Sequence, residues 1–119
     1  MAKFAKLLSS AARTTTTASD HITNYDDNEA THIVVDITAL SGVNVVPHVM
    51  GYDPTSGKSY EILAGSVLTS TGTTVLKVGP QYTAAANIAK DYLPYDWYVN
   101  VVVSGVGSGA TFSVGASII

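Results

Sequence analysis

Three histidines, His21, His32 and His48, are the side chains whose ordinary pKa lies near neutrality, so general acid–base chemistry would start with them. None has a second His or a Cys at the two- or four-residue spacing of a local metal motif. The sequence has no cysteine, which removes thiolate metal sites, cysteine nucleophiles and disulfides. Oxygen ligands gather in one place: Asp20, Asp26, Asp27 and Glu29, with Asn24 and Asn28 between them. Such a loop is chemically able to hold Ca²⁺, but the EF-hand spacing and its turn glycine are missing, so the expectation is a solvated loop. The run GVGSG at 105–109 has the letters of a seryl nucleophile elbow without the following helix, and reads as a hairpin turn. Phosphate-loop and dinucleotide fingerprints are absent. The chain is therefore expected to be no enzyme, with no catalytic residue, cofactor or metal.

Aromatic residues carry more information. Tyr92, Tyr95, Trp97 and Tyr98 lie within seven positions. Tyrosine and tryptophan suit both sugar stacking and protein interfaces. Trp97 shares its alternation with Val99, Val101 and Val103, which assigns it to a core. Tyr92, Tyr95 and Tyr98 are left as interface candidates.

The elements that would carry these residues are strands. In 32–39, Ile33, Val35, Ile37 and Ala39 alternate with His32, Val34, Asp36 and Thr38, a half-buried strand. Ser41 and Gly42 read as a turn, and 43–52 as a second strand in which Pro47 indicates an edge or a bulge. The run DPTSG at 53–57 is a tight turn, so 43–64 reads as a hairpin. Short strands follow at 67–68 and 74–78, and 82–90 reads as a short helix or a crossing loop. Strands at 97–103 and 111–118 complete the pattern. Short strands punctuated by Gly and Pro predict an all-β, single-domain antiparallel β-sandwich at 31–119, preceded by an N-terminal arm and loop at 1–30. Ile33, Val35, Ile37, Trp97, Val99, Val101, Phe112 and Val114 should be buried.

Within the arm, Phe4, Leu7, Leu8 and Ala11 fall at i, i+3, i+4 and i+7, one apolar stripe of a short helix. A helix this short is marginal in water and would need a partner surface. Lys3, Lys6 and Arg13 carry half of the six basic charges, while the remaining three stand against all nine acids, a balance of 3 − 9 = −6. A basic arm on an acidic body argues against nucleic-acid binding and suits docking on an acidic neighbour. Phe4, Leu7, Leu8, Ala11 and Arg13 are thus the second group of interface candidates. Charged residues make up only 13% of the chain, a composition shared by proteins that cover part of their surface with a partner. The apolar run near the start is short and interrupted by Lys6, and no stretch approaches a membrane span. The expectation is a chain made in the cytoplasm that does not enter a membrane.

Five segments resemble a family of small tailed-bacteriophage virion structural proteins, of the head decoration or minor capsid type. They are IVVDITALSG at 33–42, GYDPTSGKSYEIL at 51–63, TGTTVLKVGP at 71–80 with TAAAN at 83–87, LPYDW at 93–97, and FSVGASII at 112–119. The resemblance spans 33–119 and leaves the N-terminal segment outside. It implies a virion component made in the host cytoplasm, present in many copies or as a homo-oligomer, whose partners are other virion proteins, the major capsid protein first. A capsid decoration or cement protein is the leading expectation. A tail or neck component and a carbohydrate-binding module on the virion surface are the alternatives.

Overall fold

A strand of 23 residues is roughly 75 Å long when straight, and this protein has two of them. The computed structural model describes residues 3–25 and 27–119, and its longest extent is 40 Å. The long strands must therefore fold over. They are β4 (Thr31–Asp53) and β8 (Asp96–Ile118), paired antiparallel along nearly their whole length. The other strands are β1 (Lys3–Arg13), β2 (Thr17–Ala18), β3 (Ile22–Thr23), β5 (Lys58–Ala64), β6 (Gly72–Val78) and β7 (Ile88–Ala89). All eight belong to one sheet in the order β1-β8-β4-β6-β7, with β2 and β3 also on β8 and β5 also on β4. Among the described strands, only β6 and β7 run parallel.

The sheet bends across its middle and folds over, giving two layers over one core. One layer holds β1, residues 110–118 of β8, residues 31–40 of β4, β6 and β7. The other holds β2, β3, residues 96–105 of β8, residues 43–53 of β4 and β5. The chain is all-β and forms a single domain; its two layers are halves of one sheet, not two separate sheets.

The bend explains two departures from expectation. Residues 41–42 and 105–109 were expected to be hairpin turns that end strands. Instead they face each other inside the β4–β8 ladder: Ser41 pairs with Gly109 and Val43 with Gly105, so β8 spends two more residues than β4 on the same step. This is a bulge, which bends a strand without ending it. Glycine is required here. Gly42 and Gly105 have φ of 72° and 117°, and a Cβ on Gly42 would sit 2.7 Å from the Gly107 Cα. A second register shift, between Ile37 and Ala39, gives β4 one extra residue of its own, so the net offset across the bend is one residue and the phase switches. On one side of the bend Ile37 faces Phe112, on the other Val45 faces Val103, so β8 buries even-numbered residues beyond the bulge and odd-numbered ones before it.

All eight residues expected in the core are buried, Ile33, Val35, Trp97, Val99, Val101 and Phe112 completely. The Trp97 indole N–H is buried and has no hydrogen-bond partner among the described residues. Pro47 lies inside β4, where its side of the strand faces the gap between Ala64 of β5 and Leu68. Its carbonyl accepts from Gly65 N–H, and no ladder bond there needs a donor from residue 47. The hairpin at 43–64 forms as β4 and β5, and Asp53–Gly57 is its turn. Residues 82–90 contain no helix; they cross as a loop and pair briefly as β7.

The largest correction concerns the N-terminus. The division into an arm at 1–30 and a domain at 31–119 does not describe the chain, because β1, β2 and β3 all pair with β8. The helical stripe does not form either. An isolated turn or two of helix satisfies few backbone groups, whereas the free edge of β8 offers a ladder from Lys3 to Arg13. In the strand, Leu7 turns into the core, Phe4 stands exposed on the outer side, and half-buried Leu8 packs on the core while lining the hollow, so the four apolar residues no longer share a face.

Candidate interaction surface

The outer face of the first layer is assembled from cross-strand rows. Phe4 on β1, Ser117 on β8, His32 on β4 and Lys77 on β6 form one row; Lys6, Gly115, Val34 and Val75 form the next. Between β1 and β8 this face sinks into an open hollow of about 460 Å³. Gly115 makes the floor low, because a Cβ there would find nothing nearer than 3.9 Å. Phe4, Leu8 and Val34 supply apolar walls, Ser9, Ser10, Ser113 and Ser117 a hydroxyl rim, and Lys6 the one charged side chain among the described lining residues. Phe4 is 76% exposed, which is unusual for a phenylalanine on a folded sheet. Sequence reasoning singled out Phe4 and Leu8 for the wrong reason, a helical stripe, and missed Val34 and Gly115. Their membership depends on the register between β1, β8 and β4.

The remaining candidates separate. Leu7 belongs to the core. Ala11 is exposed opposite Phe112 on β8. Arg13 turns back onto its own strand: its guanidinium donates to the carbonyls of Ser9, Ala11 and Phe112 and lies 4.6 Å from the Phe112 ring centroid. Partial burial lowers the Arg13 pKa from its usual value.

At the end of the molecule opposite the bend, two loops pack together. Asn24 N–H bonds to the Tyr95 carbonyl, and Leu93 N–H to the Glu29 carbonyl. Asn24 also closes its own loop, its side chain bonding the backbone of Asn28 in both directions. Tyr92 and Tyr95 are exposed here, joined by Tyr25, which meets Tyr95 edge to face at 5.9 Å. The hydrogen bond with Tyr25 is the first cause of a raised Tyr95 pKa, followed by desolvation. Tyr25 was not a sequence candidate; only the contact between the two loops reveals it. Asp27, Glu29 and Asp91 lie on the same loops, and Asp20 on the connection between β2 and β3. Asp26, part of the acidic run, lies outside the described residues.

Tyr98 sits elsewhere, on the outer face of the second layer. It stacks flat on His21, with centroids 4.5 Å apart, and donates to the Ser59 hydroxyl. The His21 Nδ1–H donates to the Asp96 carboxylate at 2.7 Å, and the His48 Nδ1–H to Glu61 at 2.6 Å. His32 shares a hydrogen bond with the Tyr82 hydroxyl. Each histidine thus has a fixed partner, and the His21 contacts tie the segment before β3 to β8. Among the described residues, no three His, Asp or Glu side chains come together as a metal-holding group. No described helix is long and apolar enough to cross a membrane.

No family model, no curated protein and no solved structure matches this chain.

Proposed function

We propose that this protein is a structural component of a tailed-phage virion, a capsid decoration or cement protein that binds the head lattice through protein–protein contacts. The major capsid protein would be its partner, and it would be present in many copies. The observation that carries this reading is the hollow on the first layer: exposed Phe4 beside Leu8 and Val34, with Lys6 at the rim. An exposed apolar patch on a folded, low-charge domain is a mark of an interaction site. The resemblance of residues 33–119 to small phage structural proteins supports the same reading. A tail or neck position would use the same kind of surface.

The test is incorporation into particles. Phe4→Ser and Lys6→Glu change side chains on the outer face and leave the β1–β8 ladder in place. Both variants should fold, and both should lose occupancy when mixed with particles lacking the protein, with a cryo-EM map of the native particle placing the chain on the head. Undiminished occupancy of the double variant would overturn the assignment of this face. Density on the tail would move the protein there.

A further inference from the structure

We propose that the tyrosine-bearing end of one copy docks into the hollow of another, so that this chain associates with itself head to tail. The inference uses the same hollow as the virion reading, and a socket filled by a second copy is closed to the capsid protein; the test on the isolated protein reads self-association alone. Of the two surfaces, the first is a socket: a hollow of about 460 Å³ with apolar walls from Phe4, Leu8 and Val34, a floor at Gly115, and Lys6 as its charge. The second is a projecting end. Tyr25 and Tyr95 are 78% and 58% exposed, are braced edge to face, and share their loops with the exposed Asp27, Glu29 and Asp91.

Charge selects the pairing. Two sockets face to face would set Lys6 against Lys6, and two tyrosine ends would set carboxylates against carboxylates. Like-charge contacts are penalised at interfaces, whereas socket against tyrosine end matches both charge and apolar surface. The two surfaces differ, so the contact is heterologous and each copy keeps one free socket and one free end; repetition gives a ring or a chain. An aromatic side chain brings about 150–250 Å² of surface, so two tyrosines provide well under the roughly 800 Å² per partner of a standard stable interface. One contact is therefore weak and gains strength where many copies are held side by side.

Sedimentation analysis of the full chain at low ionic strength tests this. Wild-type protein should show association that grows from micromolar to millimolar concentration and weakens in high salt. Lys6→Glu and Gly115→Val, which alter the socket, and Tyr95→Ser, which alters the end, should each weaken association by about tenfold or more. Thermal melts establish that the variants are folded. The decisive arm is a mixture of Lys6→Glu with Tyr95→Ser. One variant keeps its end and the other its socket, so together they should form pairs and nothing larger. Wild-type protein that stays monomeric at millimolar concentration, variants that associate as wild type does, or a mixture that fails to pair would each overturn the proposal.

Discussion

Arg13 holds Phe112 twice: Nη1 donates to the Phe112 carbonyl at 2.6 Å, and the guanidinium carbon lies 4.6 Å from the centre of its ring. The same side chain donates to the Ser9 and Ala11 carbonyls. Those residues lie where the β1–β8 register slips between Leu8 and Ala11, so Arg13 satisfies acceptors that a regular ladder would have used. A residue read from sequence as part of a docking arm is the clasp of an edge strand.

Removing the clasp should therefore lower stability. Arg13→Ala should cost about 1–3 kcal/mol, the cost of leaving the part-buried Phe112 carbonyl without its partner. Arg13→Lys should recover less than half of the loss, since an ammonium cannot fork to three carbonyls. Urea denaturation measures both. Truncating the other partner is harsher: Phe112 is fully buried, and Phe112→Ala should cost on the order of 3–5 kcal/mol. Equal stability of wild type and Arg13→Ala would show that the carbonyls are satisfied equally well by water.

The bend supplies the second prediction. Gly107 lies within the bulge, and a Cβ there would run into the Ser41 carbonyl and the Gly42 backbone. Backbone must move to admit it. Gly107→Ala should destabilise by roughly 1–3 kcal/mol, the range for a strained backbone position. A thermal melt unchanged from wild type would mean that the two long strands have slack at the fold line.

The Asp53 turn gives a pH prediction. The Asp53 carboxylate accepts from the Ser56 hydroxyl at 2.8 Å and from the backbone N–H groups of Thr55 and Ser56, and these bonds, the Ser56 hydroxyl first, lower its pKa. A carboxyl group whose pKa is lower folded than unfolded stabilises the fold above its unfolded value, near 4, and loses that contribution as pH falls through its folded value. Asp53→Asn should remove this part of the dependence. The stability difference between wild type and Asp53→Asn should be constant above about pH 5 and shrink on further acidification. A difference that stays flat down to pH 2 would refute the assignment.

What the sequence made legible follows from what local pattern can encode. Alternation placed Ile33, Val35, Ile37, Trp97, Val99 and Val101 inside, because a period of two fixes which face a residue takes. The Asp-Pro and Gly at 53–57 fixed a turn, because those residues preset its dihedrals. Glycines at 42 and 105–109 were read as turns because a bulge and a turn demand the same backbone freedom. What separates them is a partner strand some sixty residues away, with Val43 opposite Gly105. Residues 3–13 misled for a related reason. Phe4, Leu7, Leu8 and Ala11 fit a helical period, but the edge of β8 decides their conformation, and propensity over so short a segment is a weak prior. The hollow is illegible for the same cause: Phe4, Val34 and Gly115 meet only through register.

The sharpest prediction contrasts two ways of altering β1. Deleting residues 2–13 removes a strand paired from Lys3 to Arg13, takes Leu7 from the core and exposes the edge of β8 along residues 110–118. A bare strand edge beside apolar surface invites aggregation. The truncated chain should melt at markedly lower temperature or fail to remain soluble. Phe4→Ser and Lys6→Glu point away from the core and keep every ladder bond, so their effect on stability should stay within about 0.5 kcal/mol each. Any loss of partner binding in those two variants can then be assigned to the surface itself. Binding lost on deletion cannot, because folding is lost with it. If the truncated protein instead folds with the wild-type melting temperature, β1 is dispensable to the domain, and an N-terminal segment free to leave β8 for a neighbouring subunit becomes the better description.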